Sequence, residues 1–166
     1  MHVFSEFNNL PLHALAVHAA VVSVPLTALL AVLFAIPRTR AWARPPLAIV
    51  SVGAVGAIYV AKESGEKLQQ FEAPAGSQNE PLVLRHAEAA DLLWWGVLAF
   101  AVVAVVAYLL SASAERFHGA LALAVCVVVV VGSALIAFQT YRVGDLGARA
   151  TWNPTGDIDF GTPPTP

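Results

Sequence analysis

The chain has 166 residues, of which 58% are apolar and only 12% charged, about half the charged share of an ordinary soluble domain. A formal charge of −2 and the lack of any basic stripe exclude nucleic acid as a partner. Four blocks, Phe7 to Pro37, Pro45 to Ala61, Leu92 to Ala114 and Phe117 to Tyr141, hold no Asp, Glu, Lys or Arg, and about 20 apolar residues suffice to cross roughly 30 Å of hydrocarbon.

The first block predicts a transmembrane helix over about 12 to 36. Met1 to Leu10 contains no Lys or Arg and therefore no positive leader region, so this helix is expected to stay as a span. Its opening, LPLHALAVHAA, places His13 and His18 in apolar surroundings. Five helical residues turn through about 140°, so the two cannot both face a bundle interior. The deeper His18 is expected to point inward, because an ionisable group at that depth needs a partner, and His13 to sit at the rim. The following PRTRAWAR turn, with Arg38, Arg40 and Arg44, is expected to be cytoplasmic.

A second helix is expected over about 44 to 62, with Trp42 or Tyr59 as interfacial anchors and Gly53 and Ala57 as a small-residue packing face. In AKESGEK, Glu63 and Glu66 share one side and Gly65 permits the chain to turn. The polar segment from Gln69 to Val83 reads as a cap over the rim. RHAEAADLL opens a third helix, about 86 to 111, bringing His86 and Asp91. Trp94 and Trp95 read as packing or interfacial aromatics. The fourth helix, about 117 to 141, holds the lone Cys126 as a packing residue. In YRVGDLGARATW, Gly144 and Gly147 flank Asp145 and predict an irregular, close-packed exit. Residues 1–152 then form the membrane domain, and the Pro- and Thr-rich residues 153–166 an extended tail. No internal repeat is evident.

These elements predict an all-α, antiparallel four-helix bundle in the plasma membrane, multi-pass, with both termini extracytoplasmic. The topology gathers His13, His18, Glu63, Glu66, His86, Asp91 and Asp145 at one rim. No HExxH, phosphate-binding glycine loop, GxSxG turn or CxxCH occurs, so metalloprotease, nucleotide, hydrolase and covalent c-type haem chemistry have no residue-level support. Three readings stand. In one, His18, His86, Glu63, Glu66 and Asp145 bind a transition metal such as zinc, iron or copper for redox or metal handling. In another, the cofactor-binding histidines His13, His18 and His86 supply a pair that holds a non-covalent haem b. In the third, an accessory subunit uses the cluster as an ion-paired fastening.

The segments HALAVHAAVV, AKESGEKL, RHAEAADLL and YRVGDLGARATW resemble the bacterial membrane domain of unknown function 2231, in its actinobacterial form. The likeness runs from Leu10 to Trp152. Ala14 stands where the family usually has Pro, and some relatives carry a histidine at the position of Asp145. Relatives joined to redox domains imply an electron-transfer or metal-linked role, with a redox or respiratory partner in the membrane.

Overall fold

Apolar stretches satisfy their backbone polar groups inside a bilayer only by closing every hydrogen bond within the segment, which selects helices here. The computed structural model describes residues 6–8, 10–72, 80–113 and 117–159. A short antiparallel ribbon of β1 (Glu6–Phe7) and β2 (Leu10–Pro11) precedes four helices: α1 (Leu12–Ala35), α2 (Arg40–Glu72), α3 (Glu80–Leu110) and α4 (Gly119–Trp152). All four are long and apolar enough to cross a membrane. The protein is a multi-pass membrane bundle. In it α1 and α3 each pack against both α2 and α4, so α1 and α3 occupy one diagonal.

Three helices run farther than the sequence predicts. α2 continues past Lys62 to Glu72, α3 starts at Glu80, and α4 continues past Tyr141 to Trp152. The 33 residues of α2 extend about 50 Å, well beyond the hydrocarbon thickness. Gly65, Gly144 and Gly147 interrupt neither helix, because one glycine costs only about 1 kcal/mol in a helix that neighbours hold. The i,i+4 pairs Lys62–Glu66 and Asp145–Arg149 support the same stretches. The two ends of the expected cap, 69–72 and 80–83, are thus helical, and residues 73–79 lie outside the described residues.

The centre is built from Val24, Phe34, Leu47, Val97 and Val129, with alanines between them. Thr27, Ser51, Ser64 and Ser133 are buried there too, each hydroxyl donating to a carbonyl of its own helix. Small side chains with internally satisfied hydroxyls let the helix backbones approach. Gly53 was expected on such a face but looks outward, with no atom within 4 Å of where its Cβ would stand. Ser51, Ala54 and Ile58 make the contact instead.

At the end of the bundle holding the α1–α2 turn, arginines close two helix termini. The Arg40 guanidinium donates to the Phe34 and Ala35 carbonyls, each at 3.1 Å, and lies over the Phe34 and Phe117 rings. Arg44 donates to the Ser111 carbonyl at 2.7 Å. The first two carbonyls belong to the last turn of α1 and the third directly follows α3, where intrahelical donors run out. Cys126 is buried beside Arg40, as a packing residue would be.

The two hairpins repeat one another. At one constant spacing His13, Ala16, Ala20, Val24 and Ala31 of α1 correspond to His86, Ala89, Leu93, Val97 and Ala104 of α3. At another, Leu47, Ser51, Ala54, Ala61 and Gly65 of α2 correspond to Val129, Ser133, Ile136, Val143 and Gly147 of α4. Apart from the histidines, glycines and Val143, every one of these residues is buried. Six of these ten pairs keep the same residue, but few of the positions between them do, which hides the repeat in the sequence; what is preserved is which positions face inward.

Candidate functional site

The repeat brings two histidines together. His13 lies in the first turn of α1, and its Nδ1 is 2.8 Å from the Ala61 carbonyl oxygen of α2. His86 lies near the start of α3, and its Nδ1 is 2.9 Å from the Val143 carbonyl oxygen of α4. A carbonyl oxygen only accepts, so each Nδ1 carries its hydrogen and donates. In the neutral rings Nε2 then keeps its lone pair. Both rings are partly buried, and across the diagonal their centroids are 6.2 Å apart with planes at 89°.

Glycine makes each seat. One helical turn after each accepting carbonyl stands Gly65 or Gly147. A Cβ at Gly65 would be 3.0 Å from His13 Nδ1 and Cε1, and one at Gly147 would be 3.0 Å from His86 Cε1. Any larger residue would have to displace the imidazole. The site is therefore assembled from two equal units, each with a ring, a carbonyl one helix away and a glycine on which the ring lies.

The remaining expected site residues are arranged differently. His18 is exposed on the outer surface of α1, and its Nδ1 bonds the Ala14 carbonyl of its own helix at 2.6 Å. The inward histidine is His13, which corrects the sequence expectation: the 140° offset holds, but the acceptor at Ala61 and the room at Gly65 select the shallower ring. Glu66 pairs with Lys62, and Lys62 also reaches Asp91 of α3 at 3.2 Å. Asp145 pairs with Arg149 at 2.9 Å. These carboxylates meet cations on their own or the adjacent helix instead of converging on the rings. Glu63 is half-buried on α2. Among the described residues no three His, Cys, Asp or Glu side chains form a metal-holding group. Trp94 packs on Tyr59 with ring centroids 5.7 Å apart, tying α3 to α2, whereas Trp95 is exposed.

Sequence reasoning missed Ala61, Val143 and the seating role of Gly65 and Gly147. The signal was present as a histidine near the start of each odd helix and a glycine near the end of each even one. No curated protein and no solved structure shows significant similarity to the chain. The model of one family matches residues 9–157, which include all four helices, and the chain therefore belongs to that family, DUF2231, described as a predicted membrane protein.

Proposed function

We propose that His13 and His86 hold a transition-metal centre on the axis of the bundle, and that this centre is a haem b iron serving electron transfer. The observation that carries the reading is the paired seat itself. Metal-bound histidines commonly donate their second ring nitrogen to a backbone carbonyl, which fixes tautomer and orientation, and both rings have that bond. With metal–nitrogen bonds of about 2.0 Å, imidazoles on opposite sides of one ion have centroids about 6 Å apart, against about 5 Å on a tetrahedral ion. The separation here is 6.2 Å, which suits one ion between the rings if both Nε2 atoms turn toward it.

Ligand count favours haem over a bare ion. Zinc needs four donors, and iron or copper bound without a macrocycle need further nitrogen, sulfur or oxygen ligands. Haem iron brings four nitrogens and asks the protein for one or two axial groups. A bound haem would supply a reversible one-electron carrier. The chain's own contribution would be to fix each ring through its Nδ1 bond, leaving Nε2 as the ligating atom, and to surround the pair with apolar helices. The partner would be a redox or respiratory component reached from the extracytoplasmic side, the side on which the charge asymmetry of the first helix leads us to expect this end.

One observation favours a second reading. The histidine bonds tie α1 to α2 and α3 to α4 with no ligand at all, and the Lys62–Asp91 pair ties α2 to α3. That arrangement would suit a purely structural fastening. The full chain, purified in mild detergent, separates the readings by absorption spectrum and elemental analysis. A Soret band lost in His13→Ala and His86→Ala but kept in His18→Ala is the expected result. Stoichiometric metal without a Soret band would replace haem by a bare ion. Neither signal, with unfolding resistance lowered in both variants, would leave the fastening.

A further inference from the structure

The second hairpin departs from the first at one place. Between α3 and α4 an open groove of about 590 Å³ is lined by Arg85, Glu88, Gln139, Arg142, Asp145 and Arg149, with leucines and Ala89 as its apolar wall. At the matching places on the first hairpin Arg85, Glu88, Gln139 and Arg142 become Leu12, Leu15, Ala57 and Val60. The buried scaffold is common to both hairpins and Asp145 and Arg149 match the charged Glu63 and Lys67, so the other four polar residues are an addition to one hairpin.

The groove is built from the core outward. The buried Gln139 donates through Nε2 to the Ala89 carbonyl at 2.9 Å, which fixes its amide across the α3–α4 seam. Its Oε1 then accepts from Arg142 at 3.3 Å and steadies that guanidinium. Three arginines face two carboxylates, and Asp145 is committed to Arg149. The surplus positive charge falls on Arg85 and Arg142. Tyr141, exposed and next to Arg142, marks the level where the apolar part of α4 meets the headgroup region.

A second cavity of about 260 Å³ shares Leu92 and Gln139 with the groove and continues along the same seam. Its lining is Leu93, Gly96, Leu135, Ile136 and Phe138. The two spaces together run from a cationic opening at headgroup depth into an apolar furrow on the lipid-facing side. That profile matches an amphiphile with an anionic head and a hydrocarbon chain. We infer that the α3–α4 seam is a binding site for an anionic glycerophospholipid, its phosphate held by Arg85 and Arg142 and an acyl chain lying in the furrow at Gly96. The inference does not depend on what the two histidines hold.

Native mass spectrometry of the full chain tests it, after exchange from vesicles containing equal amounts of phosphatidylglycerol and phosphatidylcholine. One phosphatidylglycerol should be retained preferentially. Arg85→Gln and Arg142→Gln should each reduce that retention about fivefold, the worth of one basic side chain at an anionic surface. A Cβ at Gly96 would make ordinary contact with Ile136 at 3.6 Å, so Gly96→Ala should fold, narrow the furrow and weaken phosphatidylglycerol retention while leaving the binding of inorganic phosphate unchanged. Equal retention of the two lipids would overturn the proposal. So would arginine variants that bind like the parent, or inorganic phosphate displacing the lipid at its own concentration, since the furrow would then contribute nothing.

Discussion

Adding one carbon at Gly147 or Gly65 probes the histidine seats without touching the histidines. Within a helix, Gly→Ala is worth about 1 kcal/mol of added stability from backbone entropy alone. That gain should appear in full at Gly144 on α4 and at Gly53 on α2, where no atom lies within 4 Å of the new Cβ. At Gly147 and Gly65 the new Cβ would stand 3.0 Å from an imidazole atom, closer than ordinary contact by a few tenths of an ångström. The ring must tilt, losing a hydrogen bond worth about 0.5–1.5 kcal/mol or leaving its rotamer well at a similar cost. These terms offset much or all of the entropic gain, so each seat variant should fall about 0.5–1.5 kcal/mol below its control on the same helix. Unfolding in mixed detergent micelles, followed by far-ultraviolet circular dichroism, measures all four variants. Gly65→Ala and Gly147→Ala stabilising the protein as much as Gly53→Ala and Gly144→Ala would refute the seating argument.

Gln139→Leu should destabilise the bundle by about 1–3 kcal/mol in the same unfolding assay, because it removes an amide that serves both Ala89 and Arg142. Lys62→Met should cost less than about 1 kcal/mol, with the difference shrinking in high salt, since the Asp91 carboxylate it meets is mostly exposed; a loss of several kcal/mol would mean the pair is buried in the membrane-embedded protein. For topology, in a Cys126→Ala background, a cysteine placed at Arg38 should resist a membrane-impermeant thiol reagent in intact cells and one at Ser77 should react. Reversed labelling would turn the molecule over.

The architecture was legible because apolar length and charge blocks report directly on the solvent of a helix. The span count and antiparallel order follow from the four uncharged runs, and the end of α1 matches its predicted position within one residue. Helix ends beyond the bilayer were less legible, because AKESGEKLQQFE and YRVGDLGARATW contain glycine and charge, which in isolation read as chain turning. Pairing decides otherwise, as Lys62–Glu66 and Asp145–Arg149 stand one turn apart on their helices. At the site, spacing shows that only one of His13 and His18 faces inward, but not which. The answer depends on a carbonyl in another helix, and nothing about residue type at Ala61 or Val143 announces a backbone acceptor. Arg40 and Arg44 illustrate a different ambiguity: residues read as topology signals also cap α1 and contact the chain after α3.

The division of the histidine site between hairpins has a consequence for biosynthesis. His13 finds its carbonyl and its glycine on α2, and His86 finds both on α4, so each half completes its own seat as soon as its two helices have entered the bilayer. The two rings face one another only after the second pair has been translated, inserted and docked against the first. During synthesis the first hairpin must therefore wait with a finished but unmatched imidazole. Any group that required both rings in their seats could load only onto a chain whose fourth helix was already in place, and loading would then be a checkpoint on complete membrane assembly.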